Sequence, residues 1–323
     1  MRAIQQQGYG DPREVLHLTQ LPVPAITADQ VLVRVHASSA NAGDWHTACG
    51  EPRLMRPALG GIRAPRRVAG GDFAGVAEQV GANVTHVAAG DEVYGYSPGA
   101  FADYVAAAGT RLARKPASLS FVEAAAVPEG GITALQGLRL GGLAAGQHIM
   151  ILGASGGVGT FAVQLAKHAG AEVTAVCSTG RLDLVRRLGA DHLIDYTTED
   201  PAGGPERYDL ILQLGGTYPA RRLRRVLAPR GTLVQSMGDG NRWVGPLGAM
   251  AGAAALNVVV SQRLTTLVTK ETTAALDELR ELIDAGHVRP VIDSEVPLEQ
   301  AGEAVALVRD GRPGGKVVVT VAA

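Results

Sequence analysis

The chain has 323 residues, enough for about two domains at ~150 residues each. Apolar residues make up 46% and charged residues 19%, a balance that excludes a disordered chain. Thirty basic and 31 acidic residues leave a net charge of −1, so no basic field exists to attract nucleic acid or an anionic membrane surface.

In chain order, short strands are predicted over 31–37, 73–80, 91–94 and 101–105, separated by glycine, proline and other turn residues. Their spacing predicts a compact, mostly antiparallel β-domain over 1–120. The pattern then changes. Helical spacing covers 121–126 and 133–140, and His148-Ile149-Met150-Ile151-Leu152 is a strand apolar enough for burial on both faces. Helices at 157–169, 181–188 and 220–227 alternate with strands at 172–177, 193–194, 210–214 and 232–236. This alternation predicts an α/β, doubly wound parallel sheet. A further strand is expected over 257–261 and a helix over 272–285, closing on Gly286. The tail reads as a short strand, a helix over 298–308, a glycine-rich turn and a strand over 316–321. It is assigned to the first domain. The expected division is therefore 1–120 and 288–323 for the β-domain, with 121–287 inserted as a nucleotide-binding domain. The cleft between the two is the expected active site.

Two cysteines, Cys49 and Cys177, exclude a disulfide scaffold and any thiolate-rich zinc site, and point to a reducing compartment. The first twelve residues carry no apolar core of signal-peptide length, and the apolar run 247–256 is too short to span a bilayer. A cytoplasmic location with no membrane partner is expected.

Gly153-Ala154-Ser155-Gly156-Gly157-Val158-Gly159 follows the buried strand and opens a helix. Small residues there let the backbone approach a pyrophosphate, whose charge the helix N-terminus stabilises. Strand, loop, helix and second strand all occur in register, which points to a dinucleotide. The end of the second strand selects which one. An NAD site places a carboxylate there for the ribose 2′-hydroxyl. This chain has Cys177-Ser178-Thr179-Gly180-Arg181 instead, with no carboxylate before Asp183. Ser178, Thr179 and Arg181 suit a 2′-phosphate, so NADP(H) is the expected cofactor.

Several segments resemble the medium-chain dehydrogenase/reductase superfamily, in its zinc-independent quinone oxidoreductase-like and enoyl reductase-like branch. They include Asn41-Ala42-Gly43-Asp44-Trp45, Gly90-Asp91-Glu92-Val93-Tyr94-Gly95, Ala124-Ala125-Ala126-Val127-Pro128, the glycine loop, Ile194-Asp195-Tyr196 and Gly315-Lys316-Val317-Val318-Val319. The resemblance covers nearly the whole chain. It implies a Rossmann domain inserted into a GroES-like β-domain, a small-molecule substrate and a homodimer, with 257–261 as the edge strand that pairs. Position by position it implies that Ala154, Ser155, Gly156, Gly157, Val158 and Gly159 hold the pyrophosphate. Thr133 is expected near the nicotinamide ribose, and Tyr196 joins Ser178 and Arg181 around the 2′-phosphate. Leu214-Gly215 and Met237-Gly238 line the path between adenosine and nicotinamide, and Lys316 reaches a phosphate.

Two departures from the zinc alcohol dehydrogenases bear on the reaction. Where those enzymes place a catalytic cysteine this chain has Asn41, and their Gly-His-Glu is Gly70-Gly71-Asp72 here. Without a Lewis acid, alkoxide chemistry is demanding, whereas an enolate or phenolate can be stabilised by a few hydrogen-bond donors. The expected reaction is NADPH-dependent hydride transfer to an activated C=C bond (enone or enoyl) or a quinone. Alternatives are a zinc-free alcohol or ketone oxidoreductase, a tailoring reductase on a polyketide-like substrate, and an NADPH-binding protein without an enzymatic role. Candidate catalytic residues are Asn41, as donor to the substrate oxygen, with Asp44, Glu129 and Thr133. Glu129 occupies a position where relatives usually carry a small apolar residue; its other reading is a first-turn acid favoured by the helix dipole.

Overall fold

The computed structural model describes residues 1–57, 61, 66–236, 243, 245, 252–253, 256–257 and 260–321. The chain divides into two compact units, Met1–Ile132 with Lys270–Ala323, and Thr133–Thr269.

The first unit opens with β1 (Arg2–Gln6), α1 (Pro12–Val15) and β2 (Leu16–Gln20), a hairpin absent from the sequence prediction. The long strand β3 (Gln30–Ala40) follows and runs directly into α2 (Ala42–Cys49). Next come β4 (Arg67–Val68), β5 (Asp72–Val80), β6 (Glu92–Tyr96), β7 (Tyr104–Ala108) and β8 (Leu112–Arg114). Expectation placed a strand at 101–105. Phe101 and Ala102 are instead fully buried, and Phe101 packs so tightly under Gly70 that a Cβ there would lie 2.6 Å from its ring. Phe101 is a core plug, and the ladder starts at Tyr104. Two helices then follow, α3 (Phe121–Ala125) and α4 (Pro128–Gly141). The helix expected from 133 starts five residues earlier, at a proline whose missing N–H costs nothing in a first turn.

The second unit carries β9 (His148–Leu152), α5 (Gly159–His168), β10 (Glu172–Cys177), α6 (Leu182–Arg187), β11 (His192–Asp195), β12 (Tyr208–Gln213), α7 (Ala220–Leu223), β13 (Leu227–Ser236) and β14 (Arg263–Leu267). Its six strands are all parallel, in the order β11-β10-β9-β12-β13-β14. The order reverses beside β9, which is where a doubly wound sheet opens a crevice for a ligand. Among the described residues of 257–261 no strand is present: Asn257 is helical, Ser261 lies outside any strand, and 258–259 fall outside the described residues. The side chain of Asn257 bonds the backbone N–H and C=O of Leu264 (2.8 and 2.6 Å), so it fixes the start of β14, the sheet's actual edge.

The chain returns to the first unit with α8 (Thr273–Asp284), β15 (Ile292–Pro297), α9 (Ala301–Arg309) and β16 (Lys316–Thr320). Strands β15-β16-β3-β5-β6-β8 form one path of a seven-stranded sheet, with β7 also on β3. The division differs from the expected one because α3 and α8 pack on this sheet. Phe121 stacks on His36 of β3 (4.3 Å between centroids), and the Tyr94 hydroxyl donates to Leu276 O (2.5 Å). Residues 121–132 and 270–287 therefore go with the β-unit. Among the described residues, no helix is long and apolar enough to cross a membrane.

Candidate functional site

In the second unit, the loop after β9 is shaped by glycine at two points. Gly153 has φ +79°, which a side chain rarely adopts, and a Cβ on Gly159 would lie 2.1 Å from Gly153 O. The chain therefore turns sharply from strand into α5. The N–H groups of Gly157 and Val158, just ahead of that helix, have no acceptor among the described residues and suit an anion at the helix N-terminus. Ser155 is partly exposed in the same loop. Two expected contacts fall away. Ala154 is fully buried with its N–H on Val176 O (3.1 Å), and the N–H of Gly156 bonds Gly153 O (3.1 Å), so both shape the loop without offering donors. Leu214 and Gly215 do lie beside the loop: a Cβ on Gly215 would be 3.5 Å from Gly153 Cα. Their turn is held by Gln213, which donates to Gly216 O and Tyr218 O and accepts from Gln235 (2.8 Å), a buried pair the sequence reading missed. Met237 and Gly238 lie outside the described residues. Thr133 is buried, its hydroxyl 3.2 Å from that of Thr269.

At the end of β10, Arg181 N–H donates to Ser178 O (2.9 Å), curling the segment into a turn. The neighbouring strand β11 ends on Asp195, in register with Cys177. Asp195 accepts from the hydroxyls of Thr179 (2.5 Å) and Thr197 (2.6 Å) and from Thr197 N–H (2.9 Å), and these donors hold its carboxyl below the usual range. Thr179, expected to donate to a 2′-phosphate, has instead committed its proton to Asp195. Ser178, Arg181 and the exposed Tyr196 remain on this edge. A nicotinamide dinucleotide fits the arrangement, with glycine backbone for its pyrophosphate and no carboxylate in the Ser178–Arg181 turn that follows β10.

In the first unit, a buried polar cluster gathers around Asp72, the first residue of β5 and fully buried. One carboxylate oxygen accepts from Asn41 Nδ2 (2.8 Å), Ser39 Oγ (2.9 Å) and Lys316 Nζ (3.2 Å); the other accepts from Glu129 N–H (3.0 Å). Lys316 also donates to Asn41 Oδ1, and Ser38 Oγ donates to the Asp72 carbonyl. Four donors on a buried acidic group are the complement of an ionised carboxylate. This network corrects two expectations. Lys316 is 2% exposed with its ammonium on Asp72 and Asn41, so it does not reach for a phosphate. Asn41 is not a donor to substrate, because its amide is held at both ends. Asn41 caps α2 and Ala42–Trp45 form its first turn, where Trp45 stacks on His46 (3.6 Å between centroids) and packs against the buried core.

Asp44 and Glu129 flank this network. Asp44 accepts from Asn41 N–H (2.8 Å), yet burial, with Asp72 adding repulsion, leaves its carboxyl pushed up to about 7. Glu129 lies in the first turn of α4, with Oε1 3.8 Å from where a Cβ on Gly43 would stand. Burial, then Asp72 and Asp44, drive its carboxyl well above the usual range, only partly opposed by Lys316. Of the four expected catalytic residues, Asn41, Asp44 and Glu129 come together here. The missed member is Tyr96, opposite Asp72 in the β5–β6 ladder.

Residues 27–117 match the alcohol dehydrogenase GroES-like domain family, and residues 188–319 match a family described as zinc-binding dehydrogenase. The chain is 32% identical to a chloroplast envelope quinone oxidoreductase homolog of Arabidopsis thaliana, over 99% of this chain and 98% of the relative. It is also 32% identical to an NADPH-dependent alkenal/one oxidoreductase, chloroplastic, of the same plant, over 99% of this chain and 79% of that one. Among solved structures, the quinone oxidoreductase from Coxiella burnetii superposes with TM-score 0.88 at 28% identity, covering 100% of this chain and 99% of that one. The chain belongs to the medium-chain dehydrogenase/reductase superfamily. Within it, the chain sits in the quinone oxidoreductase-like branch and is an enzyme of the nicotinamide-dependent oxidoreductase class.

The superfamily also contains zinc enzymes, so the donor set matters. Asn41 presents an amide oxygen already held by Lys316, and Gly71 has no side chain. The His46 ring stacks on Trp45 with Nδ1 3.1 Å from Glu51 O, and burial pushes the Cys49 thiol up, away from the thiolate a metal needs. Among the described residues no group of three His, Cys, Asp or Glu side chains could hold a metal ion. These residues do not fit a catalytic zinc.

Proposed function

We propose that this protein is an NADPH-dependent reductase of carbon–carbon double bonds conjugated to a carbonyl, or of quinones, and that it works without zinc. The observation that carries this reading is the Asn41–Asp72–Lys316 network, a closed set of hydrogen bonds where the zinc enzymes of the superfamily place ligands. NADPH, when bound, supplies the hydride. The protein's own task is then to receive a delocalised oxyanion and return a proton. An enolate or hydroquinone anion is far less basic than an alkoxide, so hydrogen-bond donors suffice to hold it. Glu129 is the proton source: its carboxyl keeps its proton well above the usual carboxylate range, and Asp72 fixes its backbone at the head of α4. NADPH over NADH is supported by Ser178, Arg181 and Tyr196 around a β10 end that lacks a carboxylate, and by the cofactor in the name of the alkenal/one oxidoreductase. Both cysteines are free, in keeping with a reducing compartment such as the cytoplasm.

The test is NADPH oxidation against a panel of enones, quinones and simple ketones. Turnover is expected with an enone or a quinone, with NADH at least about tenfold poorer, the effect of losing one charge-assisted contact to the 2′-phosphate. Turnover of ketones alone, or a preference for NADH, contradicts the reading. Glu129→Gln is expected to lower kcat by about a hundredfold while leaving the KM for NADPH unchanged, the usual scale for a general acid. An unchanged kcat in that variant removes Glu129 from the mechanism.

A further inference from the structure

The zinc enzymes of the superfamily carry histidine where this chain has Gly71, and the structure shows what fills that space. A Cβ built on Gly71 would lie 2.4 Å from Cε2 and 3.0 Å from Cζ of Tyr96. The Tyr96 ring thus occupies the space where any side chain at 71 would stand. Tyr96 is also the direct partner of Asp72 in the antiparallel β5–β6 ladder, so the two side chains rise from the same face of the sheet.

The donors on this face divide clearly. Asn41 Nδ2, Ser39 Oγ, Lys316 Nζ and Glu129 N–H all point at the Asp72 carboxylate, and Ser38 Oγ points at its carbonyl. The Tyr96 hydroxyl is different. It has no hydrogen-bond partner among the described residues, and its side chain is only partly buried. The other tyrosine of the strand, Tyr94, is fully buried with its hydroxyl tied to Leu276 O. A phenol among carboxylates, close to Glu129, Asp44 and Asp72, is kept protonated well beyond neutral pH, first by burial and then by those charges. It is therefore a neutral, permanent donor.

We propose that the Tyr96 hydroxyl donates a hydrogen bond to the carbonyl or quinone oxygen of the substrate, the role a metal ion plays in the zinc enzymes. Negative charge gathers on that oxygen as hydride adds to the far end of the conjugated system. The O–H of Tyr96 stays with the tyrosine throughout, and the proton that completes the product comes from the Glu129 carboxyl, which is reprotonated from solvent. One hydride, which NADPH would give up in becoming NADP+, and one proton from Glu129 are thus added across the conjugated system, whose π bond is the one consumed. Glycine at 71 is the enabling residue, because it alone leaves room for the ring. The inference rests on the reductase reading above, but it assigns the oxyanion donor to a residue outside the motifs of the superfamily.

Tyr96→Phe keeps the ring and removes only the hydroxyl. The variant is expected to unfold at the wild-type temperature and to bind NADPH normally, with kcat for an enone or quinone about a hundredfold lower, as for loss of one oxyanion donor. A second readout is binding of p-nitrophenolate, a delocalised oxyanion, in the presence of NADP+ at a pH where the phenol is ionised. Its affinity should fall at least about tenfold in Tyr96→Phe. A kcat within about twofold of wild type overturns the assignment. If the wild-type protein reduces none of the acceptors, the reductase reading falls by itself, and equal or absent p-nitrophenolate binding by both proteins then overturns the role of Tyr96 as well.

Discussion

Lys316→Met is expected to lower stability by about 3–5 kcal/mol, the cost of leaving a buried charge without its partner. Asp72 is fully buried and Lys316 is 2% exposed, so water cannot replace the lost ammonium. The loss also frees Asn41 Oδ1, an acceptor facing the same interior, and loosens a knot that joins β3, the start of α2, β5, the head of α4 and β16. Denaturant unfolding of the single variant and of Lys316→Met combined with Asp72→Leu measures this. The double variant should recover much of the loss, because two apolar side chains leave no unpaired charge. A single-variant loss below about 1 kcal/mol would show that solvent reaches the pair.

Gly159→Ala is expected to weaken NADPH binding by about a hundredfold, the scale of an ångström-sized displacement at a built site. The new methyl would start 2.1 Å from Gly153 O, against 3.4 Å for an ordinary contact, so loop and helix must separate by more than ~1 Å. That movement carries the Gly157 and Val158 amides away from the pyrophosphate. Titration of NADPH by fluorescence, with the Tyr96→Phe variant as a control that leaves this loop intact, reads the effect. Unaltered affinity would place the pyrophosphate elsewhere.

The parallel sheet was almost wholly legible because its strands are buried on both faces and read as unbroken apolar runs, as at His148–Leu152. The β-unit was less so. Its edges are set by pairings distant in sequence, such as β16 on β3, and by plugs such as Phe101 that resemble strand residues until the packing is known. The valine run at 258–260 reads as a strand, but the Asn257 beside it serves as a side-chain brace for Leu264.

The candidate site divides along the same line. The glycine loop is a local motif, so its sharp turn from strand into helix could be read from spacing. The Asp72 network was not legible, because its donors come from positions 39, 41, 129 and 316 and only folding brings them together. A lysine opening the apolar run of β16 is the available signal, but the resemblance to the superfamily implies a phosphate contact for it, and lysine is rarely fully buried. Tyr96 gave no signal at all. The role proposed for it rests on the missing side chain at Gly71, which the sequence does show, and on the register of β5 on β6, which it does not.

The account turns on whether amides, a phenol and a carboxylic acid suffice for the chemistry. Turnover of NADPH with an enone or quinone should be measured on protein dialysed against a strong chelator, with metal content determined on the same sample. Full activity at far less than one transition-metal ion per chain is the predicted result. Stoichiometric zinc whose removal abolishes turnover, and whose return restores it, would contradict the account.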